Sequence, residues 1–139
     1  MEEHIKLSDQ EFLQRFTNCT LPAEVFSHEA HLRLAWLYLR EHSNDKAEYL
    51  IQDQLKKYVA SLGAEDKYHS TLTVAAIKIV HHFMSRSKSQ NFKGFIAEFP
   101  RLKTGFKDLV GSHYGFDIYS SEEARKTYLK PDLLPFEKD

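Results

Sequence analysis

Apolar residues recur along this chain at intervals of three and four positions, the spacing of one face of an α-helix. The clearest stripe lies in residues 50–62, and Gly63 follows it directly. Glycine is typical of the position just after a helix, because the backbone there often adopts a positive φ. No segment shows sustained alternation of polar and apolar residues, and no two-residue hairpin turn is evident. The pattern therefore predicts an all-α protein.

Capping residues divide the pattern into five to seven helices. Ser8 with Glu11 forms a capping box for the first helix, and Ser27 caps a second that ends near His42. The remaining predicted starts are Asn44 or Asp45 for the third helix, Asp66 for the fourth, Ser89 for the fifth, Leu102 for a sixth that ends at Val110, and Ser120–Ser121 for a short helix to Leu129. We expect a single compact bundle with a core at about 8–129 and an extended tail at 130–139.

Composition and charge narrow the classes of protein. A chain of 139 residues fits one domain. Its 19 basic and 20 acidic residues give a net charge of -1, so we expect binding neither to nucleic acid nor to a membrane surface. No apolar run approaches the ~18 residues of a membrane span. The acidic N-terminus does not resemble a signal peptide and Cys19 is the single cysteine, which predicts a cytoplasmic location.

Histidines follow the apolar face of the second predicted helix. At about 100° per residue, His28, His31 and His42 fall within about 60° of one another. The opposite side carries Glu29, Arg33 and Arg40, which we take as the polar face of this helix. A buried imidazole needs a partner for its nitrogens, and that partner is a metal, a ligand or merely another side chain.

A third histidine lies at the start of the fourth predicted helix. His69 falls near the apolar stripe that contains Leu72 and Ala76, so we expect it to face inward. Helices two and four could then bring His28, His31 and His69 together as metal ligands. Three histidines with an open position suit Zn²⁺, or Fe²⁺ with an added carboxylate.

Three motifs resemble those of a family of small bacterial helical proteins of uncharacterised activity. They are FxHxxHLRLAWLYL at 26–39, YHxTLT at 68–73 and PDL at 131–133. The similarity spans roughly residues 21–135. The family implies no activity for this chain, but it favours treating the histidines of the first two motifs as one unit.

The main functional hypothesis is a metal- or histidine-dependent enzyme that acts on a small molecule between helices two and four. The divalent metal, Zn or Fe, would activate water or polarise a substrate oxygen. Without a metal, His31 or His69 would serve as a general base. Tyr38, Tyr68 and Thr71 are the expected hydrogen-bond donors.

Two non-catalytic alternatives stay open, so the sequence alone does not establish an enzyme. In the first, the aromatic-rich interior binds a small apolar or cofactor-like ligand and the histidines hold its polar end. In the second, the protein is a homodimer whose interface consists of exposed Phe92, Phe95 and Phe99.

Overall fold

The computed structural model describes residues 2–136, and within that range it contains helices but no strand. The all-α prediction is confirmed. The α-helices are α1 Asp9–Thr17, α2 His28–Glu41, α3 Asn44–Ser61, α4 Ser70–Met84, α5 Phe92–Glu98, α6 Arg101–Thr104, α7 Phe106–Gly111 and α8 Glu122–Lys126. Short 3₁₀ helices lie at Glu3–Lys6, Ala23–Val25 and Glu65–Lys67.

Several helix ends follow the local capping chemistry. The amide of Glu11 donates to Ser8 Oγ at 3.1 Å, and the Glu11 carboxylate accepts from the Ser8 amide at the same distance. Ser27 caps α2 by accepting from the amide of Ala30 at 3.2 Å. Gly63 has a φ of +68°, the left-handed conformation that favours glycine after a helix. These three predicted boundaries are confirmed.

Other predicted starts are shifted because a better-placed acceptor lies nearby. Ser43 caps α3 instead of Asn44 or Asp45, and Asn91 caps α5 instead of Ser89. Asp66 does not cap α4, since it belongs to a separate 3₁₀ turn and the cap is the side chain of His69.

The chain after α5 is more broken than its apolar pattern suggested. The predicted sixth helix is two short helices, α6 and α7, which meet at Gly105. The last helix ends at Lys126 rather than at Leu129. The tail then returns to the turn before α8, where the amide of Leu133 donates to the carbonyl of His113 at 3.0 Å. Part of the predicted tail, 137–139, lies outside the described residues.

Helix α2 is the centre of the bundle. It packs against α3, α4, α5 and α6, while α4 also contacts α3, α7 and α8 and α1 rests on α3. Six consecutive residues of α2, 32–37, are buried, so the middle of this helix has neighbours on every side. None of the helices in the described range 2–136 has the length and apolarity needed to cross a membrane.

Only part of the expected polar face of α2 faces solvent, because Arg40 is exposed whereas Glu29 and Arg33 are buried. Glu29 and Arg33 keep only 8% and 6% of their accessible surface, because the N-terminal 3₁₀ helix covers them. His4 of that helix is fully buried. The helical pattern distinguished the two faces correctly, but it did not predict that a charged face would be covered by another segment.

Candidate functional site

A cavity of about 1000 Å³ lies between α2, α3 and α4 and is partly open to solvent. This volume is at the upper end of ordinary small-molecule sites. Its rim includes residues 103–108, which are the end of α6, Gly105 and the start of α7. Several of the residues that face the cavity are small, among them Ala35 and Ala76, which leaves space between the helices. The apolar walls include Leu32, Ala35, Leu55, Val59, Leu72 and Ala76.

His31 lies on the cavity wall with one nitrogen held and the other free. Its Nδ1 lies 2.8 Å from the carbonyl of Ser27, and only an N–H can be shared with a carbonyl oxygen. The neutral ring therefore carries its proton on Nδ1 and a lone pair on Nε2. No hydrogen-bond partner for Nε2 is present within residues 2–136. Phe26 stacks on the ring at 3.8 Å and fixes its plane.

The electrostatic surroundings keep the His31 ring neutral. Burial lowers its pKa, the hydrogen bond to Ser27 opposes that effect, and nearby His28 lowers the pKa further. The ring retains accessible surface even though protein atoms surround it, because it faces the space inside the cavity. A neutral imidazole there offers Nε2 as a hydrogen-bond acceptor, base or metal ligand.

His28 also lines the cavity, but it anchors α2 to α6. Its Nε2 donates to the carbonyl of Leu102 at 2.9 Å, and its ring packs on Phe106 with centroids 4.9 Å apart. The remaining Nδ1 is the only nitrogen that His28 could offer to a ligand. This residue therefore both supports the rim and contributes a polar edge to the cavity.

His69 uses both of its nitrogens in structural hydrogen bonds. Its Nδ1 accepts from the amide of Leu72 at 3.0 Å and so caps α4. Its Nε2 donates to the carbonyl of Ile118 at 2.8 Å, which ties the segment before α8 to the start of α4. The ring borders the cavity, but it has no free nitrogen for a metal or a substrate proton.

The three predicted metal ligands thus share one cavity without forming a ligand set. Within the described residues, one group of three His, Cys, Asp or Glu residues brings its ligand atoms within 4.8 Å of one another, and it contains none of His28, His31 and His69. The convergence of the three histidines on one ion stays a prediction. For His69 to take part, one of its two hydrogen bonds would have to break.

Tyr38 does not join the predicted catalytic group. Its side chain is half-buried, is not part of the cavity wall and stacks on His42 at 5.9 Å. Burial raises its pKa. Tyr68 does line the cavity, where its hydroxyl donates to Gln52 at 3.3 Å. A tyrosine hydroxyl near the cavity therefore comes from position 68 rather than from position 38.

Basic side chains surround the opening of the cavity. Lys67, Lys103 and Lys107 line it, against the single acidic residue Asp108. Lys103 is held by two carboxylates, and the ammonium of Lys107 lies 5.3 Å from the centre of the Tyr119 ring. Lys67 and Lys107 are exposed, so both can reach a ligand that extends out of the cavity.

A second polar site lies beside the cavity, and we call Glu2, His4, Glu29, Arg33 and Lys103 the N-terminal cluster. His4 Nε2 lies 2.6 Å from Glu29 and 3.6 Å from Glu2. Lys103 lies 3.1 Å from each of these carboxylates. Arg33 donates to the backbone carbonyl of His4 at 2.6 Å and approaches its Nδ1 at 3.3 Å.

Glu2, His4 and Glu29 are the group whose geometry could hold a metal ion. Their charges are already compensated, however. The Nδ1 of His4 faces an N–H of Arg33, so Nε2 carries the proton that Glu29 accepts. Hydrogen bonds to Glu29 and Glu2 raise the pKa of Lys103, which keeps its ammonium between the two carboxylates. The ion pairs of the cluster hold the N-terminal segment against α2 and α6, which accounts for the cluster without a metal.

The N-terminal cluster was not predicted from the sequence. Glu29 and Arg33 had the helical phase of a surface pair, and His4 stands in a short acidic segment without a pattern. The expected exposure of Phe92 and Phe95 is wrong, because these rings keep only 5% and 0% of their accessible surface, while the homodimer itself stays a prediction. These rings belong to the core beside Trp36, and α5 offers no exposed aromatic stripe.

Comparison with known proteins adds no assignment. The chain matches no protein-family model, and neither a curated protein nor a solved structure is significantly similar to it. The resemblance to a bacterial helical family therefore stays a prediction from three motifs.

Proposed function

We propose that this protein binds a small, largely apolar molecule in the cavity between α2, α3 and α4, with His31 as its polar anchor. The observation that carries the proposal is the free Nε2 of His31 on the wall of a cavity of about 1000 Å³. Apolar walls supply most of the binding free energy of such sites, and a few fixed polar groups select the ligand.

The anchor has a defined chemical preference. Because Nδ1 of His31 already donates to Ser27, the neutral ring presents an acceptor and no donor to the cavity. A hydroxyl or N–H group of a ligand satisfies that lone pair, as would a ligand-borne metal with an open coordination position, whereas a ligand with neither leaves it unpaired. A net hydrogen bond is worth about 0.5–1.5 kcal/mol, or roughly 2- to 10-fold in affinity.

The test compares 2-naphthol with 2-methoxynaphthalene, which has nearly the same shape but lacks the O–H donor. Isothermal titration calorimetry should show that the wild-type protein binds 2-naphthol about 3- to 10-fold more tightly. In His31→Phe the preference should disappear, because the phenyl ring keeps the stacking on Phe26 but offers no acceptor. Equal affinities in the wild-type protein would contradict the role of His31 as the anchor.

A cavity-filling variant tests whether these probes occupy the cavity. Ala76 lies on its wall, so Ala76→Trp should abolish binding of both naphthalenes. Ala60→Trp is the matched control, since Ala60 is an exposed position on α3 that does not line the cavity. Binding that survives Ala76→Trp would place the probes elsewhere and refute the proposal.

A second candidate, a histidine-dependent enzyme, is favoured by one observation. Burial lowers the pKa of His31, so the ring stays in its basic form at a pH where an ordinary histidine is largely protonated. Its free Nε2 could then take a proton from a bound substrate or water. The metal-dependent version, with Zn²⁺ or Fe²⁺ on His28, His31 and His69, has weaker support because His69 has no free nitrogen.

Hydrolysis of p-nitrophenyl esters of short aliphatic acids distinguishes catalysis from binding. An enzyme of this kind should release p-nitrophenol at a rate that falls to background in His31→Ala and persists in His42→Ala. Because the pKa of His31 is lowered, the midpoint of the rise in rate with pH should lie below that of an ordinary histidine. A wild-type rate equal to that of His31→Ala would leave binding alone as the proposed function.

A further inference from the structure

We propose that the molecule bound in the cavity is a haem-like cofactor, a flat metal-bearing macrocycle with carboxylate groups, and that His31 Nε2 is the axial ligand of its metal. The inference rests on the proposed function, because it specifies the ligand of the same cavity. Three independent features of the structure support it: the way His31 is held, the lack of a full protein ligand set around it, and the charges at the rim.

The first feature is the orientation of His31. A metal-binding histidine almost always donates its second ring N–H to a carbonyl or carboxylate, which fixes the ring and directs the other lone pair at the metal. His31 has this arrangement, with Nδ1 held 2.8 Å from the carbonyl of Ser27 one helical turn earlier. Phe26 stacks on the ring and limits its rotation. A single histidine of this kind is a common axial ligand of haem iron.

The second feature is that His31 does not belong to a group of three ligand residues that could hold a bare ion. Within residues 2–136, the one group with three ligand atoms within 4.8 Å is Glu2, His4 and Glu29, outside the walls of the cavity. A free Zn²⁺ needs three or four protein ligands. A metal in a macrocycle already has its in-plane nitrogens and needs only one more from the protein, which is what His31 can supply.

The third feature is the match between the cavity and a large apolar dianion. The walls are mainly aliphatic, with the aromatic rings of Phe26, Tyr58 and Phe106 among them. The carboxylates of a haem-like molecule need water or cations where it emerges. Lys67 and Lys107 are exposed lysines that line the opening. Both can pair with carboxylates without disturbing the N-terminal cluster that already holds Lys103.

Absorption spectroscopy of the protein titrated with haemin tests the inference. We expect saturation at one equivalent, with a Soret band shifted to that of a histidine-ligated haem. His31→Ala should lose this band and bind at least about 10-fold more weakly, and added imidazole should restore the band. His42→Ala is the matched control, because His42 lies at the other end of α2 outside the cavity. Circular dichroism establishes that each variant is folded.

The remaining outcomes are decisive as well. Metal-free protoporphyrin should bind more weakly than haemin and with equal affinity to the wild-type protein and His31→Ala, since it offers no metal to Nε2. Haemin binding that is unchanged in His31→Ala would be adventitious and would overturn the inference. Absence of haemin binding, while 2-naphthol still binds, would overturn the inference and leave the proposed function intact. If neither ligand binds, both proposals fail.

Discussion

At the scale of single residues, the hydrogen bonds of each histidine determine what it can do. His31, His28 and His69 all border the same cavity, yet they hold respectively one, one and two carbonyl or amide partners. An imidazole with both nitrogens occupied is structural, because binding a ligand would cost it an existing hydrogen bond. An imidazole with one free acceptor facing a cavity is available for ligand chemistry. The number of occupied ring nitrogens therefore distinguishes His31 from His69, although the sequence pattern predicted the same role for both.

His69 is expected to act on stability rather than on binding. His69→Ala removes the cap of α4 and the hydrogen bond to Ile118, so it should lower the free energy of unfolding by about 2 kcal/mol. His69→Asn should recover part of this loss, because asparagine is a good N-cap. Urea unfolding followed by circular dichroism measures both values. A His69→Ala variant as stable as the wild-type protein would contradict the structural role.

Glu98 gives a prediction about acid stability. Its carboxylate accepts hydrogen bonds from the hydroxyls of Ser87 and Ser89 and from the amide of Lys88. These bonds, in that order of strength, lower the pKa of Glu98 from 4.5 to about 2. Because the folded-state pKa is depressed, the stabilisation is present above pH 4.5 and is lost as the pH falls toward 2.

The comparison of wild-type protein with Glu98→Gln measures this effect. The difference in unfolding free energy between the two should be largest near pH 6 and should shrink as the pH is lowered from about 4.5 to about 2.5. Urea unfolding across that range provides the values. A difference that stays constant with pH would show that the ionised carboxylate does not contribute.

At the scale of elements, the N-terminal 3₁₀ helix Glu3–Lys6 covers the charged side chains Glu29 and Arg33 of α2. Arg33 donates to the backbone carbonyls of His4 and Leu7 and to the carboxylate of Asp9, which lies at the first turn of α1. The segment therefore docks through buried charges rather than through an apolar stripe. Lys103 belongs both to this contact and to the rim of the cavity, so the N-terminal segment supports one side of the opening.

Breaking the N-terminal cluster should be costly. His4→Ala removes the partner that lies 2.6 Å from the buried carboxylate of Glu29. A buried ion left without its partner typically costs about 3–5 kcal/mol, and Lys103 remains to compensate part of this loss. We expect a loss of about 2–3 kcal/mol in unfolding free energy, measured by urea denaturation. Glu3→Ala is the matched control within the same 3₁₀ helix. It removes only an exposed pair with Lys6 and should change stability by less than about 0.5 kcal/mol.

At the scale of the whole molecule, the bundle combines a well-packed half with a half that contains the cavity. Phe12, Phe16 and Phe95 are fully buried on the side of α1 and α5, whereas α2, α3 and α4 leave a large space between them. Apolar side chains that line such a cavity make fewer packing contacts than those of a closed core, and a bound ligand supplies the missing contacts. The fold should therefore be stabilised when the cavity is filled.

Thermal unfolding with ligand tests this expectation. A ligand at 100 times its dissociation constant stabilises the folded state by about 2.7 kcal/mol. For a domain of this size, that corresponds to a rise in Tm of roughly 8 °C. We expect this shift with 2-naphthol in the wild-type protein and none in Ala76→Trp. A shift of equal size in both proteins would mean that the stabilising site is not the cavity.

The sequence alone determined the features that depend on neighbouring residues. The three- and four-residue spacing predicted an all-helical chain, and local capping chemistry located the ends at Ser8, Ser27 and Gly63. The cluster of histidines on one face of α2 also directed attention to the region of the cavity. Each of these signals acts over a few residues, so it is readable without knowing how the helices cross.

The tertiary structure decided what depends on distant partners. The carbonyls of Leu102 and Ile118, which are remote in sequence, occupy Nε2 of His28 and Nε2 of His69, whereas Nε2 of His31 stays free. The N-terminal segment buries Glu29 and Arg33, although their helical phase is that of a surface pair. The cavity itself is lined by residues from three helices that are distant in sequence. Helical periodicity assigns a face to each residue, but only the packed fold determines what lies opposite that face.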